Sequence, residues 1–181
     1  MTVTTGADEP KLIGPDETLR EETIDFLREF REAGETYGSD VWDEVHRDYI
    51  GFVQKLRRWE QGIDLPEGYV PESKFVLVRG SRILGACSLR HYLTAALRDF
   101  GGHVSYGVRP FERGRGYASL MLQLVLEETQ RRGIERVLVT CASENLASRR
   151  VIEKNGGVLD SESFSEQAGR MTRRYWIVLS D

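Results

Sequence analysis

The sequence is poor in the residues that build disulfide frameworks, metal sites and basic surfaces. Cysteine occurs twice, at Cys87 and Cys141, each inside an apolar, strand-like run. Two thiols in such settings read as buried free cysteines in a reducing compartment, not as a staple. The three histidines are scattered, with no Cys-x-x-Cys or His-x-x-x-His, so no metal is expected. Lysine is confined to Lys11, Lys55, Lys74 and Lys154, and the formal net charge is -4. No basic face of the kind that nucleic acid demands follows from this, and no nucleic-acid partner is expected. No apolar run approaches the roughly 18 residues of a membrane span, and the N-terminus lacks a signal-peptide core. The expected location is the cytoplasm. A P-loop is excluded too, because no Gly-x-x-x-x-Gly-Lys-Ser/Thr run exists.

What is present suits one soluble domain of 181 residues with a real core. Residues 1–10 are small and polar and read as a flexible tail, leaving 11–181 as the domain. A short strand at 11–13 is closed by Gly14-Pro15. Asp16 is a good N-cap for a helix with Leu19, Phe26, Leu27, Phe30 and Ala33 as its apolar stripe, stopped by Gly34. A second helix is expected over 40–61, with Trp42, Val45, Tyr49, Phe52, Val53 and Leu56 on one face. The loop 62–73 follows, then strands at 74–79 and 82–89 joined by Gly80-Ser81, a hairpin signal. A turn of helix at 94–102 leads into a strand at 103–108. A long helix ends at Gly133, a buried strand covers 137–141, a helix covers 145–154, and strands at 158–161 and 171–179 close the chain. The class is α+β, with a mixed, mostly antiparallel sheet flanked by helices.

The chemistry concentrates between His103 and Ser119. Alternating Val104, Tyr106 and Val108 meet Pro110, which cannot continue a strand ladder. Gly114 and Gly116 then open a helix whose apolar residues Tyr117, Leu120, Met121, Leu124 and Val125 fall at helical spacing. A strand feeding a glycine-rich turn into a helix presents free N–H groups at the positive end of the helix dipole, which is an anion site. Arg113 and Arg115 add charge beside it. A dinucleotide fingerprint fails here, because Ser119 stands where its third glycine belongs and no acid ends the next strand.

Arg113-x-x-Gly116-x-Ala118 resembles the pyrophosphate-binding signature of the GNAT acetyltransferase superfamily. The later run Asn145-x-x-Ser148 … Glu153-Lys154-x-Gly156-Gly157 is similar to a second segment of that family at the expected distance, although Gly157 replaces the usual Phe. The element order also resembles the GNAT acyl-CoA N-acyltransferase fold. The resemblance implies an acetyl-CoA-dependent N-acetyltransferase, acting without a covalent enzyme intermediate on a primary amine of a small molecule or peptide. It implies acetyl-CoA as cosubstrate, held by Tyr106, Gly107 and Val108 on the strand, by Arg113, Gly114, Arg115, Gly116, Tyr117, Ala118 and Ser119 on the turn, and by Asn145. The strands at 103–109 and 137–141 would splay to admit the pantetheine arm.

By the same resemblance, His103 occupies the place of a strand glutamate facing the amine, and a histidine can relay a proton near neutral pH. It is the expected general base. The helix position that carries a Tyr in many members holds Ile152, so Ser148, one turn earlier, is the expected proton donor. Acids in the loop before the hairpin, Asp64, Glu67 and Glu72, would favour a cationic acceptor. Two other readings stand beside this one: a degenerate acyl-CoA-binding module, given the missing Tyr, and a nucleotide-dependent oxidoreductase on the same turn. A homodimer is left open, and no membrane partner is expected.

Overall fold

The computed structural model of the protein describes residues 9–179. Residues 1–8 of the expected tail lie outside them.

The Asp16 carboxylate accepts from the Thr18 N–H at 2.7 Å and caps a short turn. That turn runs into α1 (Arg20–Glu32), which buries Ile24, Phe26, Leu27 and Phe30. Gly34, at φ 73°, ends it in the left-handed region. The single helix expected over 40–61 is two: α2 (Trp42–Arg47) and α3 (Tyr49–Glu60). Asp48 leaves helical geometry at φ -148°, ψ 78°, and its carboxylate accepts from the Gly51 N–H at 2.9 Å. A Cβ on Gly51 would stand 2.2 Å from that carboxylate, so the cap depends on glycine. The apolar spacing continues across the break, which is why periodicity alone joined the two helices.

Strands β1 (Lys11–Ile13), β2 (Glu72–Arg79), β3 (Arg82–Arg90) and β4 (Val104–Val108) form one antiparallel sheet in that order. β2 and β3 meet through the expected Gly80-Ser81 turn, with Arg79 opposite Arg82. The short α4 (Ala95–Asp99) leads into β4. Beyond the turn, α5 (Tyr117–Arg131) crosses to β5 (Arg136–Ala142), followed by α6 (Leu146–Lys154), β6 (Val158–Ser165) and β7 (Arg170–Val178). The last three strands form a second antiparallel sheet in the order β5-β7-β6. The α+β class holds, and the sheet parts between β4 and β5, where a splay is expected.

Helices pack on both sides, around two cores. One, between α1–α3 and the sheet, centres on Phe30, Val45, Val53 and Ile83. The other, under α5 and α6, centres on Leu84, Met121, Val125, Val137 and Ile152. Gly85 lets α5 come close, since a Cβ there would lie 2.7 Å from the Met121 methyl and 2.8 Å from the Gly107 carbonyl. Met121 and Val125 are fully buried, and truncating either to Ala costs about 2–5 kcal/mol. An ion cluster fastens α1 to the strand ends. Arg109, 3 % exposed, donates to Glu29 at 2.6 Å, to the Ile83 carbonyl at 3.1 Å and to Glu22, which itself accepts from the Ile83 N–H at 2.8 Å. Among the described residues no helix is long and apolar enough to cross a membrane.

Candidate active site

The site begins where β4 and β5 part. They are tied at the entry to β4: the His103 N–H donates to the Leu138 carbonyl at 2.7 Å, the Leu138 N–H donates to His103 Nδ1 at 2.9 Å, and the Gly101 N–H donates to Thr140 Oγ1 at 3.1 Å. After it the strands run on without a ladder between them. On its other side β4 pairs with β3, and the Arg109 N–H donates to the Leu84 carbonyl at 3.0 Å. Alternation along an extended strand therefore turns the polar groups of Tyr106 and Val108 to the open edge.

At this parting the side chains come from three elements. Tyr106 projects from β4, and its hydroxyl lies 2.8 Å from Ser148 Oγ in the first turn of α6. Asn145 caps that helix by accepting from the Ser148 N–H at 2.9 Å. Cys141, a free buried thiol as expected, stands on β5, and burial pushes its pKa up. Burial also raises the Tyr106 pKa to about 12, so its hydroxyl keeps its proton at neutral pH. Ile152 stands where the resemblance would place a Tyr, and it is fully buried. The structure instead brings a tyrosine hydroxyl from β4 to Ser148.

Just past β4, Gly114 (φ 76°) and Gly116 (φ 84°) shape the turn, and a Cβ at either would meet nothing within 4 Å. The face of the turn is open, and no side chain caps α5. Tyr117, Ala118 and Ser119 form its first turn. The Ser119 hydroxyl accepts from Asn155 at 3.1 Å, and the Tyr117 hydroxyl accepts from Arg79 at 3.0 Å. The two arginines are less available than the sequence suggested. Arg113 makes a bidentate pair with Glu35 at 2.6 and 2.8 Å, lies over the Phe30 ring, and donates to the Val108 carbonyl at 3.2 Å. Arg115 pairs with Glu112 at 3.0 Å. Both are exposed, where such pairs exchange readily with a competing anion.

His103 is buried at the foot of the parting. It is 7 % exposed, its Nδ1 lone pair is taken by Leu138, and it does not line the cavity described below. Burial, with Arg98 and Arg90 adding to it, lowers its pKa from 6.5 to about 4. A neutral imidazole that accepts from one strand while its backbone donates to the same residue can tie the two together, a role that the geometry offers beside the general base expected from the sequence. Ser105, which shares the face expected for His103, does line the cavity, and its hydroxyl lies 2.7 Å from that of Ser88.

That cavity, about 450 Å³, lies between α1–α3 and the face of β2–β4 opposite α5. Tyr37, in the loop after α1, roofs it. Its ring stacks on Phe30 at 4.5 Å and lies against β4, where a Cβ on Gly107 would stand 2.6 Å from it. Nothing in the local sequence marks Tyr37, because its partners come from α1 and from β4. Of the three loop acids singled out, Glu72 lines the cavity, but Asp64 pairs with Arg58 outside it and Glu67 does not reach it.

Parted strands thus stand directly before a glycine-opened, uncapped helix, with hydroxyls at the parting and a cavity across the strand. The sequence profile of the acetyltransferase (GNAT) domain matches residues 26–158, and the chain belongs to that family of N-acetyltransferases. Among solved structures, the ribosomal L7/L12 alpha-N-protein acetyltransferase RimL in complex with coenzyme A is similar, with a TM-score of 0.69 at 17 % identity over 98 % of this chain and 97 % of that one. RimJ of Mycobacterium smegmatis, in complex with CoA-disulfide, has a TM-score of 0.71 at 18 % identity over 95 % and 83 %. The microcin C7 self-immunity acetyltransferase MccE, in complex with acetyl-CoA and AMP, has a TM-score of 0.69 at 14 % identity over 95 % and 93 %. No curated protein matches the chain by sequence.

Proposed function

We propose that the parting between β4 and β5 receives acetyl-CoA and that the acetyl group passes directly to a primary amine presented from the cavity. Acetyl-CoA supplies an activated thioester. The open N–H groups of residues 114–119 suit its pyrophosphate, with Arg113 free to leave Glu35 for it. The edge at Tyr106 and Val108, free of a strand partner, suits an extended amide arm; the Val108 N–H is available to a carbonyl oxygen, and the Val108 carbonyl is released if Arg113 turns to the pyrophosphate. The Asn145 amino group has no protein partner among the described residues and adds a donor beside α6. The amine attacks as the neutral base and sheds its N–H proton to solvent; Ser148 donates to the departing thiolate while the Tyr106 hydroxyl passes its own proton to Ser148 and regains one from solvent. His103 keeps the strands joined below the parting. Binding both reactants across one strand supplies much of the rate by positioning. The same reading keeps the protein in the cytoplasm, where acetyl-CoA is made available to it.

The observation that carries this reading is the divided sheet, which exposes a strand edge directly before an uncapped helix. Calorimetry with acetyl-CoA, CoA, NAD and ATP tests it, with heat expected for the first two alone. In a thiol-release assay Ser148→Ala is expected to lower kcat about a hundredfold with acetyl-CoA affinity unchanged. Binding of NAD without CoA, or full turnover by both Ser148→Ala and Tyr106→Phe, would remove the corresponding part.

A further inference from the structure

The cavity across β4 carries its own information about the acceptor, beyond the assignment of the donor site on which this inference rests. Its long wall is apolar: Val45, Tyr49, Phe52, Val53, Leu56 and Trp59 follow one another along α2 and α3. Its charges are mostly spent. Glu44 holds Lys55, whose ammonium also lies 4.9 Å from the Trp59 ring centroid. Glu72 holds Lys74 and, at 3.2 Å, Arg90. Asp16, at the far end, is occupied capping its own turn. Among the described residues Asp40 is the one carboxylate of the lining with neither an ion pair nor a hydrogen bond. It lies in the loop that carries Tyr37, both residues line the cavity, and the Tyr37 hydroxyl has no hydrogen-bond partner among the described residues. The Tyr37 ring in turn lies on Gly107 of β4, at the edge of the proposed reacting centre.

We infer that the acceptor is a small primary amine carried on an apolar or aromatic body, its ammonium captured between Asp40 and Tyr37 and losing a proton to solvent there before the neutral amine meets the thioester, its body lying along α2 and α3. The volume is in the range that encloses a small ligand. An anionic ligand finds both lysines already neutralised by glutamates. A polyamine would set its second ammonium against the apolar wall, and a peptide would leave backbone N–H and C=O groups unpaired there. Tyr37 is the specificity-determining contact, because it meets the ammonium and the reacting strand at once. The loop is anchored by the Glu35 N–H, which donates to the Phe30 carbonyl at 2.8 Å.

The test titrates 2-phenylethylamine, spermidine and an N-terminal tetrapeptide into the CoA-saturated enzyme by calorimetry, and follows thiol release with the same three. Phenylethylamine is expected to bind, and to be turned over, at least about tenfold better than either rival. Asp40→Asn is expected to weaken phenylethylamine roughly fivefold or more while acetyl-CoA affinity stays unchanged. Tyr37→Phe is expected to raise KM for the amine more than it lowers kcat. Preference for the peptide or for spermidine overturns the inference, as does Asp40→Asn behaving as wild type or the absence of amine binding altogether. Failure of the donor reading shows separately, as no heat with acetyl-CoA, while the amine titration still reports on the cavity.

Discussion

His103→Ala separates a structural histidine from a catalytic one. The substitution leaves the Leu138 N–H without its acceptor in a buried place and removes a ring from a site 7 % exposed. An unpaired buried donor costs about 1–3 kcal/mol and the void adds to it, so a loss of about 2–4 kcal/mol is expected at neutral pH. Acid adds a second signature. The ring titrates near 6.5 when unfolded and near 4 when folded, so between these values the unfolded chain takes up a proton that the folded chain refuses. Wild-type stability therefore falls as pH drops through this window, by at most about 3 kcal/mol from this group, once its partial contact with solvent is allowed for. His103→Ala lacks that share, so the gap between the two proteins narrows on acidification. Urea unfolding at pH 7.5 and pH 5 measures both effects, and Trp176, 6.3 Å from the His103 ring, gives a local fluorescence signal. His103→Gln, whose amide oxygen accepts from Leu138, should recover part of the stability and most of the turnover. A variant as stable as wild type, with kcat/KM collapsed and its acid limb gone, would restore the histidine as the base and refute this account.

Two more perturbations test the frame of the site. Arg109→Ala strips the buried partner from Glu22 and Glu29 and is expected to cost about 3–5 kcal/mol in urea unfolding, whereas Arg113→Ala, on an exposed pair, costs under about 1 kcal/mol. Gly107→Ala drives a methyl into the Tyr37 ring and is expected to cost about 1–3 kcal/mol. In a Tyr37→Ala background that penalty should vanish, and additive losses would show that the two residues do not touch.

Much of the frame could be read from short-range signals. The Asp16 cap, the Gly80-Ser81 hairpin, the glycine turn before α5 and the Asn145 cap each depend on residues within a few positions, and each is present. The break at Asp48 was hidden by apolar spacing that continues through it, though Asp followed three residues later by Gly is a readable cap. β6 runs to Ser165, beyond the expected end at 161, because an edge strand exposed on both faces has no alternation to announce it. The contacts of the site that the sequence did not announce share one cause. His103 finds its partner 35 residues on, Arg113 finds Glu35 78 residues back, and the Tyr37 ring lies on a strand 70 positions away. Contacts of that span are made by the fold, and local pattern does not contain them.

The separation of the two apolar cores has a consequence for how the molecule breathes. The layer α1–α3 is packed by its own cluster, while α5, α6 and the parted strands belong to the other. Hydrogen exchange should therefore resolve two cooperative units, with amides of α1–α3 opening at lower free energy than those of α5 and β5. Substitutions along the wall facing the amine then spend the stability of the first unit alone. The pocket that chooses the acceptor can be remodelled while the strand edge and helix end proposed for the donor stay fixed.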